Sequence, residues 1–218
     1  MFEYLSQNWT TLLGQLGRHL TIIGIALPIA MAISVPVGIA ISGNRRVARA
    51  VISVAGVFMT IPSLALFGLM VILLAPFHAG IGVPPAVVAI VVYSLLPMIR
   101  NTLVAVQAVD RGVISAARGM GMKNFQVLVR IRLPLAIPII MAGVRNAAVL
   151  GVSVTTIAYL VGAQGLGYFI FAGLSRSRFD MIVTGAVSVG LLGIATNYLL
   201  LLLEDLITPR GIKISRKQ

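Results

Sequence analysis

Cysteine is absent from this 218-residue sequence, which excludes disulfides and thiolate metal sites and gives no sign of a redox compartment. Acidic residues are scarce: Glu3, Asp110, Asp180, Glu204 and Asp205 stand against seventeen Lys and Arg. The two histidines, His19 and His78, sit apart at loop edges. Neither paired carboxylates nor a metal cluster can be assembled from so few groups, which argues against enzyme activity. No phosphate-binding loop of the form G-x-x-x-x-G-K-S/T occurs, and the run Gly119, Met120, Gly121, Met122, Lys123 does not supply one. Residues 1–20 lack a basic start followed by an apolar core, so no secretory signal is expected there.

What is present is hydrophobicity. The chain is 59% hydrophobic and 10% charged, whereas a soluble domain carries about 25% charged residues. It reads as an all-α integral membrane protein. In a soluble chain the net charge of +12 would point to nucleic acid. Here the basic residues cluster between apolar blocks, so they mark topology and no nucleic-acid partner is expected.

Residues 1–20 place Phe2, Leu5, Trp9, Leu12, Leu16 and Leu20 at steps of three and four, the pattern of an amphipathic helix lying in the membrane interface or binding a partner. Five spans follow, each close to the ~20 residues a bilayer needs. The first covers residues 21–41. The second covers 51–74 with an interruption at Pro62, where Thr60 and Ser63 can satisfy freed backbone groups. A third at 83–104 is expected to break at Pro97, and the last two cover 133–160 and 181–203. Thirteen Lys and Arg, from Arg45, Arg46 and Arg49 through Arg100 to Arg132 and on to the tail, fall on one side; only Arg18, Arg176 and Arg178 fall on the other. The positive-inside rule then predicts an external N-terminus with an external interfacial helix at 1–20, a cytoplasmic loop at 105–133 and a cytoplasmic tail at 208–218.

The loop at 113–134 is dense in charge yet neither Pro/Gly-rich nor low in complexity. Small residues Ala116, Ala117 and Gly119 allow close approach of another surface, and Gly121 breaks the helix. Asp110 is placed to cap the first helix and Asn124 the second, which carries an apolar stripe of Phe125, Leu128, Val129 and Ile131. Pro134 opens the next span. The alternative is an ordinary connecting loop. Its spacing, Ala116-Ala117, three residues, Gly121, nine residues, Ile131, one residue, Leu133-Pro134, resembles the EAA loop of ABC-transporter permeases, with Ser115 at the Glu position.

The likeness extends beyond the loop. Gly162, Ala163, Gln164, Gly165, Leu166 and Gly167 resemble the GAGGLG element of methionine-type and betaine-type permeases, with Gln164 replacing a Gly. The runs at 61–66, 95–102 and 116–122 look like the osmoprotectant branch. That resemblance implies a methionine-permease-like fold and an importer of quaternary amines of the glycine betaine, choline or carnitine class. It also implies a second permease subunit, identical or not, two cytoplasmic ATPase chains that hold ATP and Mg, an external substrate-binding protein, and a bacterial inner-membrane location. ATPase coupling would fall to Ser115, Ala116, Ala117, Gly121, Ile131, Leu133 and Pro134. An amino-acid importer of the methionine type is the alternative within transport; a membrane sensor or scaffold is the alternative outside it.

The interruptions at Pro62, Ser63, Ser94, Pro97, Gly162, Gln164, Gly165 and Gly167 are expected to converge on a substrate passage, since broken helices persist in membranes only where protein or a water-filled cavity meets their backbone. Arg145 is the one charge inside a span, some 16 Å from Pro134, so near the midplane if the span begins there. It is read either as a structural or gating charge or as a group paired within a subunit contact. Phe58, Phe67, Tyr93 and Tyr159 are too scattered to form an aromatic cage, and core packing is the expected role of each.

Overall fold

The computed structural model describes residues 2–208, so Arg210, Lys213, Arg216 and Lys217 of the expected cytoplasmic tail lie outside the described residues. Among these every regular element is helical: α1 Phe2–Gln7, α2 Trp9–Ile41, α3 Arg45–Thr60, α4 Ser63–Leu74, α5 Val83–Gln107, α6 Arg111–Gly119, α7 Asn124–Val127, α8 Leu133–Ile157, α9 Gly167–Ser175 and α10 Phe179–Ile207. A π turn, Leu128–Arg132, fuses α7 to α8. The helices α2, α5, α7–α8 and α10 are each long and apolar enough to cross a membrane, and α3 with α4 makes a fifth candidate bent by 98°.

The first span is longer than its hydropathy implied. Nothing between Trp9 and Ile41 stops the helix, so residues 9–20 form the opening turns of α2 instead of a separate interfacial helix; only Phe2–Gln7 stands apart. Its 33 residues measure about 50 Å against a hydrocarbon thickness of about 30 Å. The extra turns pack on the chain itself, with Leu12 buried beside Leu166, Phe169 and Met181.

The two proline sites behave differently. At Pro62 the chain turns sharply, and the Tyr93 hydroxyl donates to the Ile61 carbonyl at the bend. Thr60 Oγ1 donates to Val57 O at 2.7 Å, whereas Ser63 simply opens α4. At Pro97 the expected break is absent, because α5 runs unbroken from Val83 to Gln107. Neighbours pack closely on it there. A Cβ on Gly143 of α8 would lie 3.1 Å from Pro97 O and 2.6 Å from Asn101 Cβ, and one on Gly38 of α2 would lie 2.6 Å from Thr102 Cβ. Small residues thus let α2 and α8 clasp α5 backbone to backbone, which is how helices associate where lipid offers no hydrophobic drive.

This three-helix centre, with α4 against it, buries Ala26, Ala30, Phe67, Ala86, Ile90 and Met98 in one cluster. Helix α10 lies outside it. Only Met181, Thr184, Gly185 and Glu204 of its 29 residues are buried, while Val187, Leu191, Ile194 and Leu202 are exposed.

Candidate functional site

In the loop of residues 110–134 the local chemistry explains the spacing. Asp110 Oδ1 accepts from the backbone N–H of Gly112 at 2.7 Å and of Val113 at 3.1 Å, capping α6. The helix closes on Gly121, whose φ of +81° is left-handed. Gly121 N–H donates to Arg118 O and Met122 N–H to Ala117 O, the paired bonds of a Schellman stop. Asn124 does not cap α7. It is the first helical residue and its Oδ1 accepts from Arg118 at 3.1 Å, while Gln126 Oε1 reaches back to Lys123 N–H at 2.8 Å.

The loop's apolar residues divide into an inner and an outer set. Val109, Ile114, Ala117 and Val127 are buried together with Met122 and Ile131 packed on them. Met120 and Phe125 are each 73% exposed, and Val113 and Val129 stand out beside them. The stripe expected from Phe125 to Ile131 is therefore split: Phe125 and Val129 face outward, and Val127 takes the inward place. Ser115, Ala116 and Gly121 are also exposed, Ala117 is buried, and Ile131, Leu133 and Pro134 are half-buried at the start of α8.

The glycine-rich turn of residues 162–167 is locked on the opposite end of the bundle. A Cβ on Gly167 would fall 1.9 Å from Thr156 O, and Gly162 has φ +83°. Gly82 N–H donates to Val161 O at 2.9 Å, tying the turn to the start of α5. His19 is the keystone. It is fully buried, its Nε2 lies 3.2 Å from Val152 O, and Leu166 N–H points at its Nδ1 from 3.3 Å. Since Nδ1 accepts, the proton sits on Nε2 and donates to Val152. Far from standing isolated at a loop edge, His19 joins α2, α8 and the turn.

The expected passage residues do not converge. Ser94 is buried and donates to Ile90 O at 2.8 Å; Pro62 and Ser63 sit at the α3–α4 bend; Gly165 abuts His19; Gly162 and Gln164 line a dent of about 400 Å³ with Arg18, Thr21 and Val83. Pro97 alone of the set borders a larger groove, of about 910 Å³, between α8 and α10. Its walls carry Asn146, Ser153, Asn197 and Tyr198, none of which makes a side-chain hydrogen bond within the described residues. Two glycines of α10, Gly190 and Gly193, keep it open. Hydropathy concealed this groove because four polar groups are diluted by the leucines and valines on the other helix faces.

Beside the groove, Arg145 Nη1 pairs with Glu204 Oε2 at 3.1 Å. Glu204 lies three residues before the end of α10. Arg145 is thus level with the last turn of that helix, while it lies near the middle of the apolar helix that α7 and α8 form together.

Comparison with known proteins accords with this architecture. A family model described as "Binding-protein-dependent transport system inner membrane component" matches residues 24–213. The chain is 40% identical over 214 residues to the carnitine transport permease protein OpuCB of Listeria monocytogenes, covering 98% of this chain and 96% of the relative. It is 40% identical over 211 residues to the osmoprotectant import permease protein OsmW of Salmonella typhimurium, covering 97% and 98%. Among solved structures, the inward-facing MetNI methionine ABC transporter superposes with a TM-score of 0.80 at 20% identity over 93% of this chain and 99% of that one. This multi-pass membrane protein belongs to the binding-protein-dependent transport system inner membrane component family.

Proposed function

We propose that this chain is the permease subunit of an ATP-driven importer of quaternary-amine osmoprotectants, of the glycine betaine, choline or carnitine class, and that the α8–α10 groove is its half of the substrate passage. The substrate class is supported by relatives named for carnitine and osmoprotectant transport at 40% identity over nearly the whole chain. Likeness to a methionine transporter at 20% identity speaks for the fold alone.

The observation that carries the passage is the set of unpartnered polar groups on one groove. Asn146 is near the middle of α8, Ser153 about one turn before its end, and Asn197 and Tyr198 within the second half of α10, all on apolar spans where a polar group facing hydrocarbon costs several kcal/mol. Water and a second permease subunit across the groove relieve that cost. A quaternary ammonium has no N–H to donate, so carbonyl and hydroxyl oxygens and the Tyr198 ring suit it better than a carboxylate trap would. Weak binding of this kind favours passage over retention.

ATP and Mg belong to two ATPase chains docked on the exposed Met120 and Phe125 face, and an external binding protein delivers substrate to the end that carries residues 162–167. The N-terminus is then outside and the C-terminus inside, the loop of residues 105–133 faces the cytoplasm of a bacterial inner membrane, and the chain works as a transport subunit with no catalytic residues of its own. Reconstituted vesicles containing permease, ATPase and binding protein test the reading through uptake of labelled glycine betaine and choline. Asn197→Leu should abolish ATP-dependent uptake while the ATPase still copurifies. Undiminished uptake would remove the groove from the passage.

A further inference from the structure

A second, smaller pocket of about 290 Å³ lies at the other end of the spans from His19, walled by Ile39, Ala40, Ser42 and Gly43 at the end of α2 and by Arg118, Asn124, Val127, Leu128 and Arg132 of the EAA loop. Two guanidinium groups border it and no acidic residue does. Among the described residues the ion pairs are Arg145 with Glu204 and Arg178 with Asp180, so neither Arg118 nor Arg132 has a carboxylate. Arg118 is pinned by its bond to Asn124 Oδ1, which uses one of its five donors. Arg132 carries a buried Nε with no hydrogen-bond acceptor. An unmet guanidinium N–H in such a place is costly, and an acceptor anion seated there would relieve it.

The end of α2 does not supply that anion. Its carbonyls at Ile39, Ile41 and Ser42 already accept, from Ser42, Asn44 and Gln107 respectively. The remaining wall is apolar through Ile39, Ala40, Val127 and Leu128. A ligand with a phosphate at one end and methylenes at the other fits this division. Position agrees, because Ile39 is near the end of α2 and Leu133 is where the π turn passes into α8, the end of the apolar helices at which headgroups would meet the chain.

We propose that the pocket holds the phosphate of an anionic lipid headgroup, gripped by Arg118 and Arg132, with its glycerol against Ile39 and Leu128. Two unesterified phosphate oxygens accept the paired N–H groups of an arginine fork, which a carbonyl cannot do twice. The bound headgroup ties the end of α2 to the π turn that joins the EAA loop to α8, so it is a structural ligand of that loop. The inference rests on the membrane placement of the chain and not on its substrate or passage.

Native mass spectrometry of the full chain, alone and with its ATPase, tests it with added phosphatidylglycerol or phosphatidylcholine. Wild type should retain one phosphatidylglycerol per subunit over phosphatidylcholine, and the double variant Arg118→Gln/Arg132→Gln should lose that retention by about tenfold or more. Arg132→Lys keeps the charge without the fork and should fall between them, while Arg46→Gln, an exposed basic residue outside the pocket, should match wild type. Circular dichroism and size exclusion confirm that each variant is folded. Equal retention by wild type and double variant would overturn the proposal. So would displacement of the lipid by millimolar inorganic phosphate, which would assign the site to a soluble anion, or loss of the ATPase with lipid retention unchanged, which would assign the arginines to the ATPase.

Discussion

Arg145 and Glu204 form an ion pair across α8 and α10, with Glu204 almost wholly buried and Arg145 partly exposed. The pair is the charged clasp of a helix that otherwise buries little of its own surface. Removing one partner leaves a charge without its counter-ion, and a buried pair broken in this way costs roughly 3 kcal/mol or more. Glu204→Leu should therefore lower the thermal midpoint of the purified protein well below that of wild type. Arg145→Met combined with Glu204→Leu should recover most of the loss. Equal destabilisation by the single and double variants would show that packing, not charge, accounts for the effect.

His19 makes a comparable prediction at the opposite end. His19→Leu removes the acceptor for the buried Leu166 N–H, and an orphaned buried donor costs about 1–3 kcal/mol. The turn of residues 162–167 should loosen, seen as faster amide exchange at Leu166 and Gly167 than in wild type. Gly165→Val acts on the same contact, since even a Cβ there comes within 3.1 Å of His19 Nδ1. Gly167→Ala should not fold at all, because its Cβ meets the Thr156 carbonyl at 1.9 Å. Unchanged exchange at Leu166 in His19→Leu would mean the turn is held by its glycines alone.

The turn at Gly121 separates conformation from bulk. A Cβ there meets nothing within 4 Å, so any cost comes from its φ of +81° and not from crowding. Gly121→Val should weaken the Schellman stop by about 1–2 kcal/mol and lower ATPase copurification. Gly121→Asn, which tolerates the left-handed region, should retain most of it. Parallel losses in both variants would point instead to a direct contact with the ATPase.

Much of this was legible in the sequence, and what was not shares a cause. The spacing of the loop is readable because its residues meet local needs: Gly121 a left-handed turn and Pro134 the second position of α8, with Asp110 a cap ahead of them. The partners of His19 lie 133 and 147 residues away, and Glu204 lies 59 from Arg145, distances no periodicity reports. Pro62 and Pro97 look alike in sequence, yet one interrupts its helix and the other does not. The difference is tertiary, since α2 and α8 clasp α5 around Pro97, while the bend at Pro62 is met by Tyr93 from another helix. The α1–α2 boundary was misplaced because amphipathic spacing in residues 9–20 serves burial against α9 as well as it would serve a membrane surface.

The groove yields the most direct test of the passage, since the chain has no cysteine to remove first. Ser153 and Asn197 line it, whereas Ser94, at 2% exposure, lies in the core. Single cysteines at Ser153 and Asn197 should react with a small polar thiol reagent in membranes, and ATP with the binding protein should change their rates. A cysteine at Ser94 should stay unreactive throughout, and one at Leu202, exposed on α10 away from the groove, should respond only to an apolar reagent. Steric filling gives an independent arm. Gly193 meets nothing within 4 Å, so Gly193→Leu costs the single chain little strain but projects a side chain into the groove. Uptake should fall to background while expression, folding and ATPase binding persist. If Gly193→Leu transports normally and the cysteines at Ser153 and Asn197 ignore the ATP cycle, the unpartnered amides mark a static contact with the second subunit, and the passage runs elsewhere.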